Sequence, residues 1–167
     1  AEESAAAPTV VAPRFAARGD SVREAIAELR SLAHGIYPPL LMDQGLVEAL
    51  RVSARRSSSP VTVETDGVAR HRPEVEAAAY FCCMEALQNA AKHAPGAPVR
   101  VIVTDDGVEL RAVVDDAGPG FEPSGVRSGQ GLANMADRVG AAGGRLHIGR
   151  SELGGARVEI VFPVAAE

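Results

Sequence analysis

Lysine, cysteine and long apolar runs are what this chain of 167 residues has least of, and each shortage excludes something. Sixteen of its seventeen basic residues are arginine, leaving Lys92 alone. Without a basic block, and with a formal charge of −5, a nucleic-acid surface is not expected as its main purpose. No apolar run approaches the length of a membrane span, and the N-terminus has no charged-then-apolar signal pattern. The expectation is a soluble, cytoplasmic protein, either free or as the cytoplasmic part of a membrane-anchored one. Because it starts at Ala1 and not at Met, it also reads as a piece of something longer. The two cysteines, Cys82 and Cys83, are adjacent, so they cannot staple distant parts of the chain and match no zinc spacing. They read as buried thiols, with a redox or metal pair as the alternative. There is no internal repeat, no Walker A loop and no Rossmann fingerprint.

A hydrophobic content of 46% is enough for one principal core. Residues 1–19, rich in Ala and Pro, read as a linker or loose tail. A helix is expected from Asp20 or Ser21, with Val22, Ile26, Leu29 and Leu32 at helical spacing, ended by Gly35 and Pro38-Pro39. Leu46 to Ala54 reads as a short helix and Val61 to Thr65 as a strand. Pro73 opens a long helix closed by Pro95-Gly96. Val99 to Thr104 and Val108 to Val114 read as a hairpin about Asp105-Asp106-Gly107. A helix over Leu132 to Ala142 and strands over Arg145 to Ile148 and Arg157 to Phe162 complete the order. Helices followed by hairpin-paired strands predict an α+β layer sandwich, not a doubly wound sheet.

Three segments carry chemistry. In Glu85-Ala-Leu-Gln-Asn89-Ala-Ala-Lys92-His93, the i, i+4, i+7 spacing puts Glu85, Asn89 and Lys92 on one helix face. An acid, an amide oxygen and a compact cation suit a metal-bound polyphosphate, while Tyr80, Cys83, Leu87, Ala91 and Ala94 fall on the packing side. In Asp115-Asp116-Ala117-Gly118-Pro119-Gly120, an Asp at a strand end followed by Gly-x-Gly offers a carboxylate acceptor beside approachable backbone, which suits adenine. A plain strand-ending turn explains the same residues. In Ser128-Gly129-Gln130-Gly131-Leu132, glycines run into a helix whose free amides bind phosphate oxygens well.

Together these segments resemble the ATP-binding catalytic domain of sensor histidine kinases, within the ATPase superfamily that includes gyrase B, Hsp90 and MutL. Glu85 to His93 is similar to that family's N box, and Asp116-x-Gly118-x-Gly120 and Gly129-x-Gly131 to its two glycine boxes. Gly154-Gly155 and the alternating strand to Pro163 match as well. Glu28 to Pro39 with Gly45-Leu46 resembles the junction after the second dimerisation helix in the nitrate and lipid-fluidity sensor subfamily. The resemblance implies a Bergerat-type two-layer α/β sandwich, its sheet mixed and mostly antiparallel, plus a residual dimerisation helix. It implies residues 20–42 as the end of that helix and 43–167 as the catalytic domain.

The resemblance also implies roles. Asn89 would ligate Mg²⁺, Lys92 and His93 would meet phosphate oxygens, and Glu85 would act as general base or orient the nucleophile. Asp116 would accept from the adenine amine in a pocket shaped by Gly118 and Gly120. Gly129, Gly131 and Leu132 would give amides to phosphates, and Glu122 to Gln130 would form a lid. Gly155-Ala156 stands where the family usually has Gly-Thr, so a supporting hydroxyl is missing. None of His34, His71, His93 or His147 resembles the phosphoacceptor. The implied partners are ATP, a phosphoacceptor histidine domain, a response regulator and, in the full-length protein, a second copy. An anti-sigma serine kinase of the same fold and a non-catalytic nucleotide-binding module are the alternatives.

Overall fold

The computed structural model describes residues 38–120 and 130–164. The expected helix from Asp20, His34, Gly129 and the lid segment up to Ser128 lie outside them. Among the described residues, three helices, α1 (Pro39–Arg55), α2 (Pro73–His93) and α3 (Gln130–Ala141), accompany five strands. The strands are β1 (Val61–Asp66), β2 (Val99–Asp105), β3 (Glu109–Asp116), β4 (Arg145–Arg150) and β5 (Ala156–Pro163), in the order β1-β2-β3-β5-β4. β1 and β2 are parallel, with α2 as their crossover, and every other pairing is antiparallel. The expected mixed, mostly antiparallel α+β sandwich is therefore what the chain forms.

Alternation decides which sheet face is covered. Val99, Val101 and Val103 of β2 share a face with Leu110, Ala112 and Val114 of β3 and with Val158, Ile160 and Phe162 of β5. That face forms one core with Leu41, Leu46 and Leu50 of α1, Val75, Phe81 and Leu87 of α2, and Met135 and Val139 of α3. Each large side chain fully buried there contributes about 1.5–3 kcal/mol. The other face is laced with cross-strand ion pairs, among them Arg111 with Glu159 and Arg145 with Glu109.

The N-terminal boundary of α1 differs from expectation. Pro38-Pro39 was expected to end a helix, and Leu46 to begin the next, yet Pro39 occupies the first turn of α1. Proline costs nothing where the backbone N–H has no partner, so the same residue can stop one helix and start another. The helical path breaks at Gly45 (φ 81°, ψ −179°), where Arg70 packs against the glycine and donates to the Met42 carbonyl at 3.0 Å. β3 also runs two residues further than expected, through Asp115 and Asp116, because both are held by partners described below.

Candidate nucleotide site

α2 supplies the first wall. It begins at Pro73 with Glu74 and Glu76 in its first turn and ends with Lys92 and His93 in its last, charges that suit the two poles of the helix dipole. Cys83, Leu87 and Ala94 are buried and Tyr80 and Ala91 partly so, joined by Phe81, Cys82, Ala86 and Ala90. Glu85 and Asn89 are half-buried, and Lys92 and His93 exposed. Lys92 at a helix C-terminus thus has a structural reason to be there. Burial pushes the Cys82 thiol up to about 12 and Cys83 higher still, so the pair consists of inert core thiols.

The end of β3 supplies the second wall. Asp116 Oδ1 accepts from the Gly118 amide at 2.8 Å and from the Ala156 amide at 3.2 Å, while its carbonyl accepts from the Gly155 amide at 3.1 Å. Among the described residues none donates to Oδ2, which leaves one carboxylate oxygen as an acceptor for a ligand amine. Gly118 lies so close to Ala94 that a Cβ there would overlap the Ala94 methyl, so this turn is seated on the C-terminal end of α2. Gly120 adopts φ 78°, a left-handed conformation that favours glycine, and a Cβ there would sit 3.2 Å from the Gly155 carbonyl.

The start of α3 supplies the third. A Cβ on Gly131 would overlap Glu85 Oε1, so the first turn of α3 passes directly over the Glu85 carboxylate. Leu132 packs against the core. Arg138, further along α3, stacks on the Phe81 ring at 4.6 Å from its centroid and ties α3 to α2. The structure therefore brings together Glu85 with Gly131, the end of α2 with Gly118, and Asp116 with Gly118 and Gly155.

Sequence reasoning passed over two things here. Ala156 reads as a lost hydroxyl, whereas its backbone N–H holds Asp116 directly. Gly155 matters sterically, since a Cβ there would overlap Asp116 Oδ1 and lie 2.6 Å from the Gly118 nitrogen. The Gly-Gly pair before the last strand was the available signal.

Metal chemistry can be judged from the donors. Among the described residues no three His, Cys, Asp or Glu side chains form a metal-holding group. Asn89 and Glu85 offer oxygens one helical turn apart, and no thiolate is available. That sparse oxygen set fits Mg²⁺, which dehydrates reluctantly and takes its other ligands from phosphates and water.

Comparison with known proteins places this geometry. Residues 74–166, more than half of the chain, match the family described as histidine kinase-, DNA gyrase B-, and HSP90-like ATPase. The chain is 33% identical over 145 residues to the sensor histidine kinase MctS of Rhizobium johnstonii, a match covering 81% of this chain and 31% of that protein. It is 29% identical over 152 residues to the histidine-protein kinase/phosphatase DegS of Brevibacillus brevis, covering 87% of this chain and 39% of that protein. It thus spans between about three- and four-tenths of the length of these relatives. The ATP-binding domain of PrrB from Mycobacterium tuberculosis superposes with a TM-score of 0.55 at 24% identity, over 72% of this chain and 92% of that domain. With its α2 face, its β3 carboxylate and its α3 start converging as they do, the chain belongs to the histidine kinase-, DNA gyrase B- and HSP90-like ATPase family.

Proposed function

We propose that this chain is the ATP-binding catalytic part of a sensor histidine kinase, passing the γ-phosphoryl of ATP to a histidine that is not in this sequence. The observation that carries the reading is the division of labour at Asp116. Its Oδ1 is taken by two backbone amides and its Oδ2 by none of the described residues, so the carboxylate is fixed and still able to accept from an adenine amine. Gly118 and Gly120 let the chain after Asp116 pack against Ala94 and Gly155, which would hold the carboxylate in place beside the base.

Asn89 would hold Mg²⁺, with Glu85 nearby, and the ion would neutralise charge on the phosphates. Lys92, a cation at the rim, and His93 beside it would meet the phosphate oxygens. The amides of Gly129, Gly131 and Leu132 would take the remaining phosphate oxygens, and residues 122–130 would close over them. In the transfer, the lone pair of a neutral imidazole nitrogen forms the new N–P bond. The bond from the γ-phosphorus to the bridging oxygen breaks, and ADP leaves with that electron pair. The proton on the other imidazole nitrogen is then lost, and Glu85, packed under the start of α3, would receive it or orient the attacking ring.

Residues 1–19 would be a linker, 20–42 the end of a dimerisation helix and 43–167 the catalytic domain, acting in the cytoplasm as part of a dimer and upstream of a response regulator. No helix among the described residues is long and apolar enough to cross a membrane. The test combines ATP titration with and without Mg²⁺ and phosphotransfer to a separately supplied dimerisation domain. Asp116→Asn should abolish nucleotide binding, Asn89→Ala should remove its Mg²⁺-dependent part, and the product should be an acid-labile phosphohistidine. Unchanged affinity in Asp116→Asn would overturn the pocket, and an acid-stable product would point to a serine kinase.

A further inference from the structure

The residue before Asp116 lies on the opposite sheet face and is fully buried there, although that face carries mostly charged, ion-paired side chains. Asp115 has Arg100 of β2 directly opposite it on one side and Arg157 of β5 directly opposite on the other. Arg157 grips it with two prongs, Nε to Oδ1 at 2.8 Å and Nη2 to Oδ2 at 2.7 Å. Arg100 reaches Oδ2 with Nη2 at 3.4 Å and keeps its own Nε buried without a partner. The clamp is therefore asymmetric, and Arg157 is its working half. Glu152, from the turn that also carries Gly155, lies 3.6 Å from Arg157 and 3.5 Å from Arg100.

We propose that Asp115, clamped by Arg157 with Arg100 in support, is a positioning residue that sets where the Asp116 carboxylate sits. The inference rests on the reading of Asp116 as the base-binding group. Successive side chains on a strand point to opposite faces, so a bond that fixes Asp115 on one face fixes the backbone from which Asp116 projects on the other. Strand ends fray, and Asp116 is the last residue of β3. The clamp joins β2, β3 and β5 at the level just before that end. Arg157 follows Ala156, whose amide holds Asp116 Oδ1, so one short piece of β5 grips both aspartates from both faces. A fork-to-carboxylate pair resists sliding and rotation in a way a single point charge does not.

The experiment compares the chain with Arg157→Lys, which keeps the charge and loses the fork, and with Asp115→Leu/Arg157→Met, which replaces the buried carboxylate and its partly exposed partner by apolar volume and leaves Arg100 to Glu152. Amide hydrogen exchange at Gly118 and Ala156 is read by NMR alongside ATP titration of the same samples. Exchange at these two amides should accelerate about tenfold or more while that of Ala49 and Leu50 in α1 stays as it was, and ATP dissociation constants should rise about ten- to hundredfold. Wild-type exchange at Gly118 and Ala156 in folded Arg157→Lys would overturn the proposal. Altered exchange with unaltered affinity would overturn the link to the ligand. Should the unmodified chain fail to bind ATP, the base-binding reading of Asp116 falls, and the exchange rates alone decide whether the clamp positions it.

Discussion

Replacing Gly155 by alanine perturbs the site without removing any functional group. The new Cβ would overlap Asp116 Oδ1 and lie 2.5 Å from the Asp116 carbonyl oxygen and 2.6 Å from the Gly118 nitrogen. Two of those three atoms are backbone and cannot swing aside, so the turn before β5 must draw back from the end of β3. That movement gives up the 3.1 Å bond from the Gly155 amide, worth about 1 kcal/mol, and the 3.2 Å bond from the Ala156 amide to a carboxylate, worth about 1.5–3 kcal/mol. With the strain of inserting a methyl into packed surroundings, the loss of stability is about 4 kcal/mol, a fall in melting temperature on the order of 10–20 °C. On the proposed reading, an Asp116 no longer held in place also loses its bond to the base, so ATP should bind about 10- to 150-fold more weakly. Thermal melts by circular dichroism and calorimetric ATP titration read both effects. Gly140→Ala is the control, because Gly140 lies within α3 with no atom within reach of a new Cβ, and the change should stabilise by about 0.5–1 kcal/mol with binding unaltered. If Gly155→Ala melts and binds as Gly140→Ala does, the steric reasoning is wrong.

Three further outcomes follow from individual contacts. Lys92→Arg puts a planar fork in place of a point charge, so phosphotransfer should slow by about threefold or more in single-turnover assays, and equal rates would count against a phosphate contact. Asp105 is pushed upward by desolvation, but the amides of Gly107 and Ala69 and the His71 ring at 2.7 Å more than offset this and hold its carboxyl below the usual range. The stability it adds is complete above the ordinary carboxylate pKa and is lost as pH falls through its own, so the gap in melting temperature between wild type and Asp105→Asn should be widest near neutral pH and close in acid. With both thiols buried and raised, Ellman's reagent should label Cys82 and Cys83 only after denaturation, and rapid labelling of the native protein would contradict their burial.

The fold was legible where a residue had one meaning. Pro73 could only start a helix, and Asp105-Asp106-Gly107 could only turn a hairpin, so α2, β2 and β3 fall where they were expected. Pro39 had two meanings, so the helical stretch it opens ahead of the break at Gly45 was not expected, whereas the helix read from Leu46 begins where that break ends. The site was legible as three segments because each carries its chemistry locally, in Glu85 to His93, Asp116 to Gly120 and the start of α3. Contacts between distant residues were not. The hairpin register sets Arg100 opposite Asp115, but placing Arg157 on the other side requires knowing that β5 inserts between β3 and β4. His71 lies in a loop between β1 and α2, and only the fold brings its ring to Asp105 and its amide to the buried Glu76.

The parallel pairing of β1 with β2 has a consequence for affinity. α2 is the crossover between them, tied by a short connection to β1 at one end and to β2 at the other, and β2 is in turn paired with the strand that carries Asp116. The helix face with Glu85, Asn89 and Lys92 is therefore set at its distance from Asp116 by both connections and by the close contact of Gly118 with Ala94. A ligand that touches both walls finds them already at their final separation, so almost none of its binding energy goes into ordering them. Such a site discriminates by length: a nucleotide whose base and phosphates are spaced to the fixed gap keeps its full affinity, and one a bond shorter or longer cannot recover it by adjustment of the protein.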